Sequence, residues 1–411
     1  MRFLCWVAPP ILLAAAPAAL AQPVGYDEAL EAALSDQPAL QAGSSRVAGA
    51  RESAEAADQL PDPRLRGGVA NVPITGPAAF ELDRQLPTQI VVGVEQSIPN
   101  LAKRRARAGV AGSDVRLAQA RLTMTERDVR LATGTAWLSL AYAQRREAVA
   151  HEARDSLNPL IPVALTAVSA GAARPAESLE IRRALLEIDD AITRIEADRE
   201  AARARLARYI RKDNPVAAGD LPPLMIYPDR LRAGLLRIPE LVVADAATER
   251  ASMEVRLAEA DRRPDFGVNV SYGRRDGSFG DAVSVLGSVT LPIFAGRRQE
   301  PRIRSAEAEQ FASLNERQDI LLGLEARLAA DLAVWRSALV QWERARDELL
   351  PLARDRAKLE MASFSAGRAD LIDVITARTA LALLEIEILT REEAVALTAA
   401  KLRLTYAEHV Q

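Results

Sequence analysis

The sequence predicts a mainly helical, internally duplicated chain that carries four short strands, and three observations support this. Landmarks of the first half recur in the same order in the second half. Long proline-free stretches hold apolar residues at heptad spacing, and each half contains two stretches of apolar–polar alternation. A repeat at this scale is read before anything else, because overlooking it misassigns the whole fold.

The N-terminal stretch comes first. Met1-Arg2 gives a positive start, Phe3 to Leu20 is apolar, and Ala19-Leu20-Ala21 places small residues where a signal peptidase reads them. Residues 1–21 are therefore expected to be a cleaved signal peptide. Pro9, Pro10 and Pro17 interrupt the run that a membrane anchor of about 20 apolar residues would need. The only cysteine, Cys5, lies inside this segment. It stands too early to be a lipid-acceptor cysteine, and the mature chain is left without a thiol for disulfide, cluster or nucleophile chemistry. The chain has 53 basic and 56 acidic residues, a net charge of −3. That weak acidity argues against a nucleic-acid partner. After residue 21 no apolar stretch is long enough for a spanning helix, but a closed barrel of short alternating strands remains open.

The duplication rests on seven landmarks. Gln37-Pro38-Ala39-Leu40 recurs as Ile238-Pro239-Glu240-Leu241, and Pro63-Arg64-Leu65 as Pro264-Asp265-Phe266. Ser97-Ile98-Pro99 matches Thr290-Leu291-Pro292, each followed by a basic cluster (Lys103-Arg104-Arg105; Arg297-Arg298). Pro159 matches Pro351, Ser169-Ala170-Gly171 matches Ser365-Ala366-Gly367, and Arg182 to Leu185 matches Arg378 to Leu381. The boundaries are a first repeat at 22–213, a Pro-rich connector at 214–234 and a second repeat at 235–411.

Each repeat holds two strand candidates. Phe266, Val268, Val270 and Tyr272 alternate with Gly267, Asn269, Ser271 and Gly273. Val283, Val285, Val289 and Leu291 oppose Ser284, Ser288 and Thr290. In the first half Ile90, Val92, Val94 and Ile98 oppose Gly93, Glu95 and Ser97, and Leu65 to Asn71 is a weaker match. Such alternation marks a strand with one wet face, and about 8–10 residues suit a tilted bilayer crossing. Two ordinary hairpins on a soluble core give the same pattern. Four strands cannot close a barrel, whose minimum is about eight. If these strands meet lipid, several chains must share one barrel, and three chains give twelve strands.

The remainder predicts helix, from Leu101 to Ser156 and from Arg302 to Leu350. At 1.5 Å per residue the first of these spans about 84 Å. Val110, Leu117, Met124, Leu131 and Leu138 form one heptad row, with a second seam at Val115, Leu122, Val129 and Ala136. Leu314, Leu321, Leu328, Trp335, Trp342 and Leu349 form another, and Val374, Leu381, Ile388, Val395 and Leu402 a third. Sustained heptads specify coiled-coil packing. The charges between seams are read as solvated faces.

With these features in place, the chain resembles the TolC-like outer-membrane factor family over essentially its whole mature length. The segments most specific to it are Val289 to Arg297 (VTLPIFAGR) and Phe364 to Val374 (FSAGRADLIDV). The resemblance implies a homotrimer whose strands form a 12-stranded barrel in outer-membrane lipid, continued into the periplasm by a tunnel of coiled-coil helices. It also implies docking to a periplasmic adaptor and an inner-membrane pump, with the connector in a belt at mid-tunnel. In this family the turn at 364–374 lies at the closed periplasmic tip, where acidic side chains ring the entrance. Asp373 matches the first of two constricting aspartates. The second falls on Thr376, a departure from the pattern, and Asp370, one turn before Asp373, is the candidate substitute. Helix-start carboxylates favoured by the macrodipole are the plainer account of both. Gly171 and Gly367 are expected at the two helix-tip turns where the adaptor docks.

Enzymatic readings find little support. His151 and His409 are the only histidines, and there is no nucleophile elbow, P-loop or metal-ligand spacing, so no catalytic, cofactor or metal residue is assigned. A periplasmic adaptor would have one hairpin and small β domains rather than two repeats. A soluble helical scaffold would not need the signal or the strands. Arg297 to Pro301 is similar to the heavy-metal branch of the family, so metal cations are the expected cargo, with drug efflux and type I secretion as alternatives. The lack of cysteine and scarcity of histidine argue against tight binding of soft metals in the duct.

Overall fold

The computed structural model describes residues 22–77, 79–80, 88–170, 174–275 and 280–407, so the expected signal segment lies outside them. Residues 22–213 give β1 (Gln22–Val24), α1 (Tyr26–Ser35), α2 (Pro38–Ala57), β2 (Arg64–Ala70), β3 (Gln89–Ile98), α3 (Leu101–Leu157), α4 (Leu160–Ser169) and α5 (Pro175–Ile210). The connector adds β4 (Pro215–Ala217) and α6 (Pro228–Gly234). The second half follows with α7 (Pro239–Ala260), β5 (Asp265–Arg274), β6 (Ala282–Thr290), α8 (Gln299–Arg344), α9 (Leu350–Ser365) and α10 (Leu371–Leu402). Both halves thus run helix, strand, strand, long helix, return helix. No helix among the described residues is long and apolar enough to cross a membrane.

Two compact units divide the chain, and each draws on both halves. One comprises Asp36–Asp128, Tyr227–Leu332 and Leu402–Gln411. It contains an antiparallel sheet in the order β2-β3-β5-β6. The register aligns Leu65 with Val94, Val94 with Val270 and Val270 with Val285. Because side chains alternate along a strand, this collects Ile90, Val92, Val94, Phe266, Val268, Val270, Tyr272, Val283, Val285 and Val289 on one face, all of them exposed. The opposite face is mostly small and polar, with Gly93, Glu95, Asn269, Ser271, Ser284 and Ser288 around a cavity of about 540 Å³, and Val91 and Leu286 as its apolar members. Gly93 is required there. A Cβ at this position would stand 2.7 Å from that of Ser271 and 2.9 Å from the Val270 carbonyl oxygen.

At the foot of the sheet a polar knot fixes where helix gives way to strand. Asn100 precedes α3 and accepts the Lys103 amide at 2.9 Å, an N-cap. Its side-chain amide donates to the Ala260 carbonyl at 3.2 Å and to Asp265 Oδ1 at 2.9 Å. Lys103 Nζ pairs with Asp261 at 2.6 Å and Asp265 at 3.1 Å. Burial alone would lower the Lys103 pKa, but the bonds to these two carboxylates outweigh it and hold the ammonium above its usual value. Farther along α3, Leu117 and Ala120 pack on Ala246 of α7. Arg127, buried, forms a bidentate pair with Glu240 at 2.9 and 2.8 Å.

The other unit comprises Met1–Ser35, Val129–Ile226 and Ala333–Lys401. Its core centres on Trp137, Leu138, Leu140 and Tyr142 of α3, with Ala202 and Leu206 of α5 and Ala396 and Ala400 of α10. Trp137 Nε1 donates to the Val24 carbonyl at 2.8 Å, and the Tyr26 ring stands edge-on to the indole at 5.4 Å between centroids. β1 pairs in parallel with β4, Gln22 opposite Pro215 and Val24 opposite Ala217. The connector is therefore tied to the start of the described chain, a pairing that alternation could not predict in three-residue strands.

The heptad rows separate by burial. Val374, Ile388, Val395 and Leu402 of α10 are all buried, as are Val129 and Ala136 in the second seam of α3. In α8, Leu328 and Trp335 are buried, but the ends of their row, Leu314 in α8 and Leu349 beyond it, stay exposed at 46 % and 40 %. Helix 302–350, expected as one piece, passes through a π-helical turn at Ala345–Leu349. Pro351 supplies the reason: its ring removes a donor and displaces the carbonyl four residues back, and one wide turn absorbs the mismatch. At the matching point of the first half, Pro159 separates α3 from α4.

Candidate functional site

The turn between α9 and α10 is built by local rules. Beyond α9, Gly367 takes φ +66°, a left-handed conformation that a Cβ would strain. Its amide bonds the Phe364 carbonyl at 2.9 Å and the Arg368 amide bonds that of Ser363 at 2.9 Å. These two bonds form a Schellman closure and satisfy the last carbonyls of α9. Asp370 then stands at the N-cap of α10 and Asp373 at its third position. Asp373 Oδ2 accepts the Asp370 amide at 3.3 Å while the Asp373 amide bonds the Asp370 carbonyl at 3.1 Å. A carboxylate folded back on the cap is half of a capping box, and its charge suits the helix N-terminus.

Packing decides which way these carboxylates point. Leu371 and Ile375, each 2 % exposed, join Ile181 and Ala184 of α5 in one apolar cluster, with Phe364 and Leu160 against it. Val374 is buried as well. Asp370, Asp373 and Thr376 lie on the remaining face of the first turns and are all exposed. The structure thus brings the two candidate aspartates together on one solvent-facing corner. The Thr376 hydroxyl is directed to the Ile372 carbonyl at 2.8 Å. Gly171, the counterpart of Gly367, lies outside the described residues, as does His409.

Within the same unit, a groove of about 530 Å³ is lined by α3, α9 and α10, with apolar Met361, Leu381 and Ala382 and charged Arg354, Lys358, Arg378 and Glu385 among its residues. Arg354 pairs there with Glu385 at 3.0 Å. One further cluster escaped the sequence reading: Glu147, His151 and Glu196 come close together where α3 meets α5. The four-residue spacing of Glu147 and His151 on a helix was legible. The approach of Glu196 from another helix was not.

With this geometry described, the chain can be set beside known proteins. Residues 231–407 match the family model described as outer membrane efflux protein. A curated relative is the cobalt-zinc-cadmium resistance protein CzcC of Cupriavidus metallidurans, 26% identical over 288 residues, 68% of either chain. Among solved structures, a membrane protein from Pseudomonas aeruginosa superposes with a TM-score of 0.80 at 17% identity, covering 93% of this chain and 90% of that one. The channel CusC gives 0.78 at 15% identity, covering 93% and 91%. The outer membrane protein VceC of Vibrio cholerae gives 0.75 at 16% identity, covering 94% and 97%. The solved structures share the fold, and the family match covers the second repeat. The chain thus has the fold of these channels, and its second half is similar to the outer membrane efflux proteins.

Proposed function

We propose that the chain is one third of a homotrimeric duct, that it works with a periplasmic adaptor and an inner-membrane pump, and that its cargo is divalent metal cations. The observation that carries this reading is the four-stranded sheet. It exposes a continuous apolar face, and its outer strands β2 and β6 each pair on one side only among the described residues. In lipid every backbone donor and acceptor needs a protein partner, so an open edge is tolerated only if another copy closes it. Three copies supply twelve strands, the apolar face meets lipid and the small polar face lines the lumen.

The remaining assignments belong to the same proposal and rest on the sequence and its resemblance to the family. Residues 1–21 direct export, the repeats at 22–213 and 235–411 form barrel and tunnel, and the connector at 214–234 belongs to a belt around the helices. Asp373, with Asp370 beside it, constricts the periplasmic tip. Three carboxylates converging on an axis repel one another and attract cations, so small helix movements change conductance sharply. Gly171 and Gly367 form the tips to which the adaptor docks. The cargo assignment rests on the relative named for cobalt, zinc and cadmium resistance and on the Arg297 to Pro301 segment.

Deleting the gene tests the cargo. The expected outcome is lowered minimal inhibitory concentrations of Zn²⁺, Co²⁺ and Cd²⁺, restored by the gene on a plasmid, with hydrophobic drugs unaffected. Sensitivity to drugs with metals unaffected would instead assign the duct to a drug pump.

A further inference from the structure

α3 presents Glu147 and His151 one turn apart, and α5 brings Glu196 against them. One ligand atom from each, two carboxylate oxygens and an imidazole nitrogen, lies within 4.8 Å of the others. His151 and Glu196 are exposed and Glu147 half-buried, so the cluster opens to water. His151 is one of only two histidines in the sequence, and the fold places it between two carboxylates contributed by different helices.

We propose that Glu147, His151 and Glu196 form a weak, exchanging site for a divalent transition cation of the zinc and cobalt class. Its use as a stopping point for cargo rests on the metal-efflux reading, whereas the binding chemistry does not. The donor set selects the class. Imidazole with carboxylates suits Zn²⁺ and Co²⁺, and the absence of sulfur removes any preference for Cu⁺. Three protein ligands leave at least one position for water, the arrangement of exchangeable rather than closed structural sites.

Arg199 sets the strength of the site. Its Nη1 lies 2.5 and 2.6 Å from the two oxygens of Glu147, a charge that competes directly with the cation. The arginine has a second partner, since its Nη2 donates to Glu200 at 2.9 Å. It can therefore yield Glu147 to a cation while staying paired. Glu200 in turn holds Arg203 at 2.8 and 2.9 Å. A site whose ligand is shared with a guanidinium binds weakly and exchanges its cation.

Calorimetric titration of ZnCl₂ into untagged, chelator-washed protein in detergent tests the proposal. The expected result is saturable binding of one Zn²⁺ per chain. His151→Ala should weaken it by about tenfold or more through loss of the nitrogen ligand. Arg199→Gln should tighten it several-fold by removing the competing charge, roughly the gain of an unpaired carboxylate. His151 is exposed and Arg199 half-buried, and unchanged melting without zinc would show that the variants fold. Absence of saturable binding, a His151→Ala variant that binds like the wild type, or weaker binding by Arg199→Gln would each overturn the proposal. Metal resistance in cells alongside no zinc binding in vitro would remove this site and leave the efflux reading intact. Zinc binding without metal resistance would do the reverse.

Discussion

Asp373 has one observed use and one proposed use, and they separate by chemistry. In the structure it folds back on the Asp370 amide as a helix cap, which needs only a side-chain oxygen. A constriction that attracts cations needs the charge. Asp373→Asn keeps the oxygen and removes the charge, so it isolates the pore role better than truncation to alanine, which also loses the bond to the Asp370 amide. In planar bilayers Asp373→Asn should raise single-channel conductance and weaken block by multivalent cations. Unchanged conductance and block would leave Asp373 a capping residue alone. The sequence placed Asp370 and Asp373 at a helix start correctly, since their distance from Gly367 fixes that. Which face they occupy depends on Leu371, Val374 and Ile375 being buried against neighbouring helices.

At the level of elements, β6 offers a direct test of what surrounds the sheet. Ser284 and Val285 are adjacent, both exposed, and point to opposite faces. For a sheet in water, arginine at either position would cost little. If the Val285 face meets lipid, Val285→Arg should cost about 2–4 kcal/mol near mid-membrane and deplete the folded protein from outer-membrane fractions. Ser284→Arg, on the small polar face, should assemble normally. Equal tolerance of the two would place the sheet in water. The helices show a comparable division of labour. Heptad spacing correctly marked the rows that pack along α10, but the exposed ends of the α8 row, Leu314 and Leu349, show that periodicity marks a face without stating what covers it. Pro351 signalled a break in the expected helix, and the chain answered with a π-turn rather than a stop.

For the whole molecule, the duplication supplies the physical reason for the proposed trimer. Each repeat contributes one hairpin, and β3 joins β5 to make a single sheet from the two, which still lacks the strands to close. The purified protein in detergent should therefore have a mass of three chains, and without detergent no folded monomer should remain. A monodisperse, water-soluble monomer would refute the shared barrel. The sequence by itself determined the strand faces, the helix rows and the order of elements that both halves share, because each depends on periodicity or on the backbone limits of proline and glycine. The tertiary structure alone decided the strand order, the β1–β4 tie between Val24 and Ala217, the Asn100–Lys103–Asp265 knot and the meeting of Glu147, His151 and Glu196. These join residues distant along the chain. Their energies come from packing and paired charges that exist only once the helices are side by side, so no local pattern encodes them.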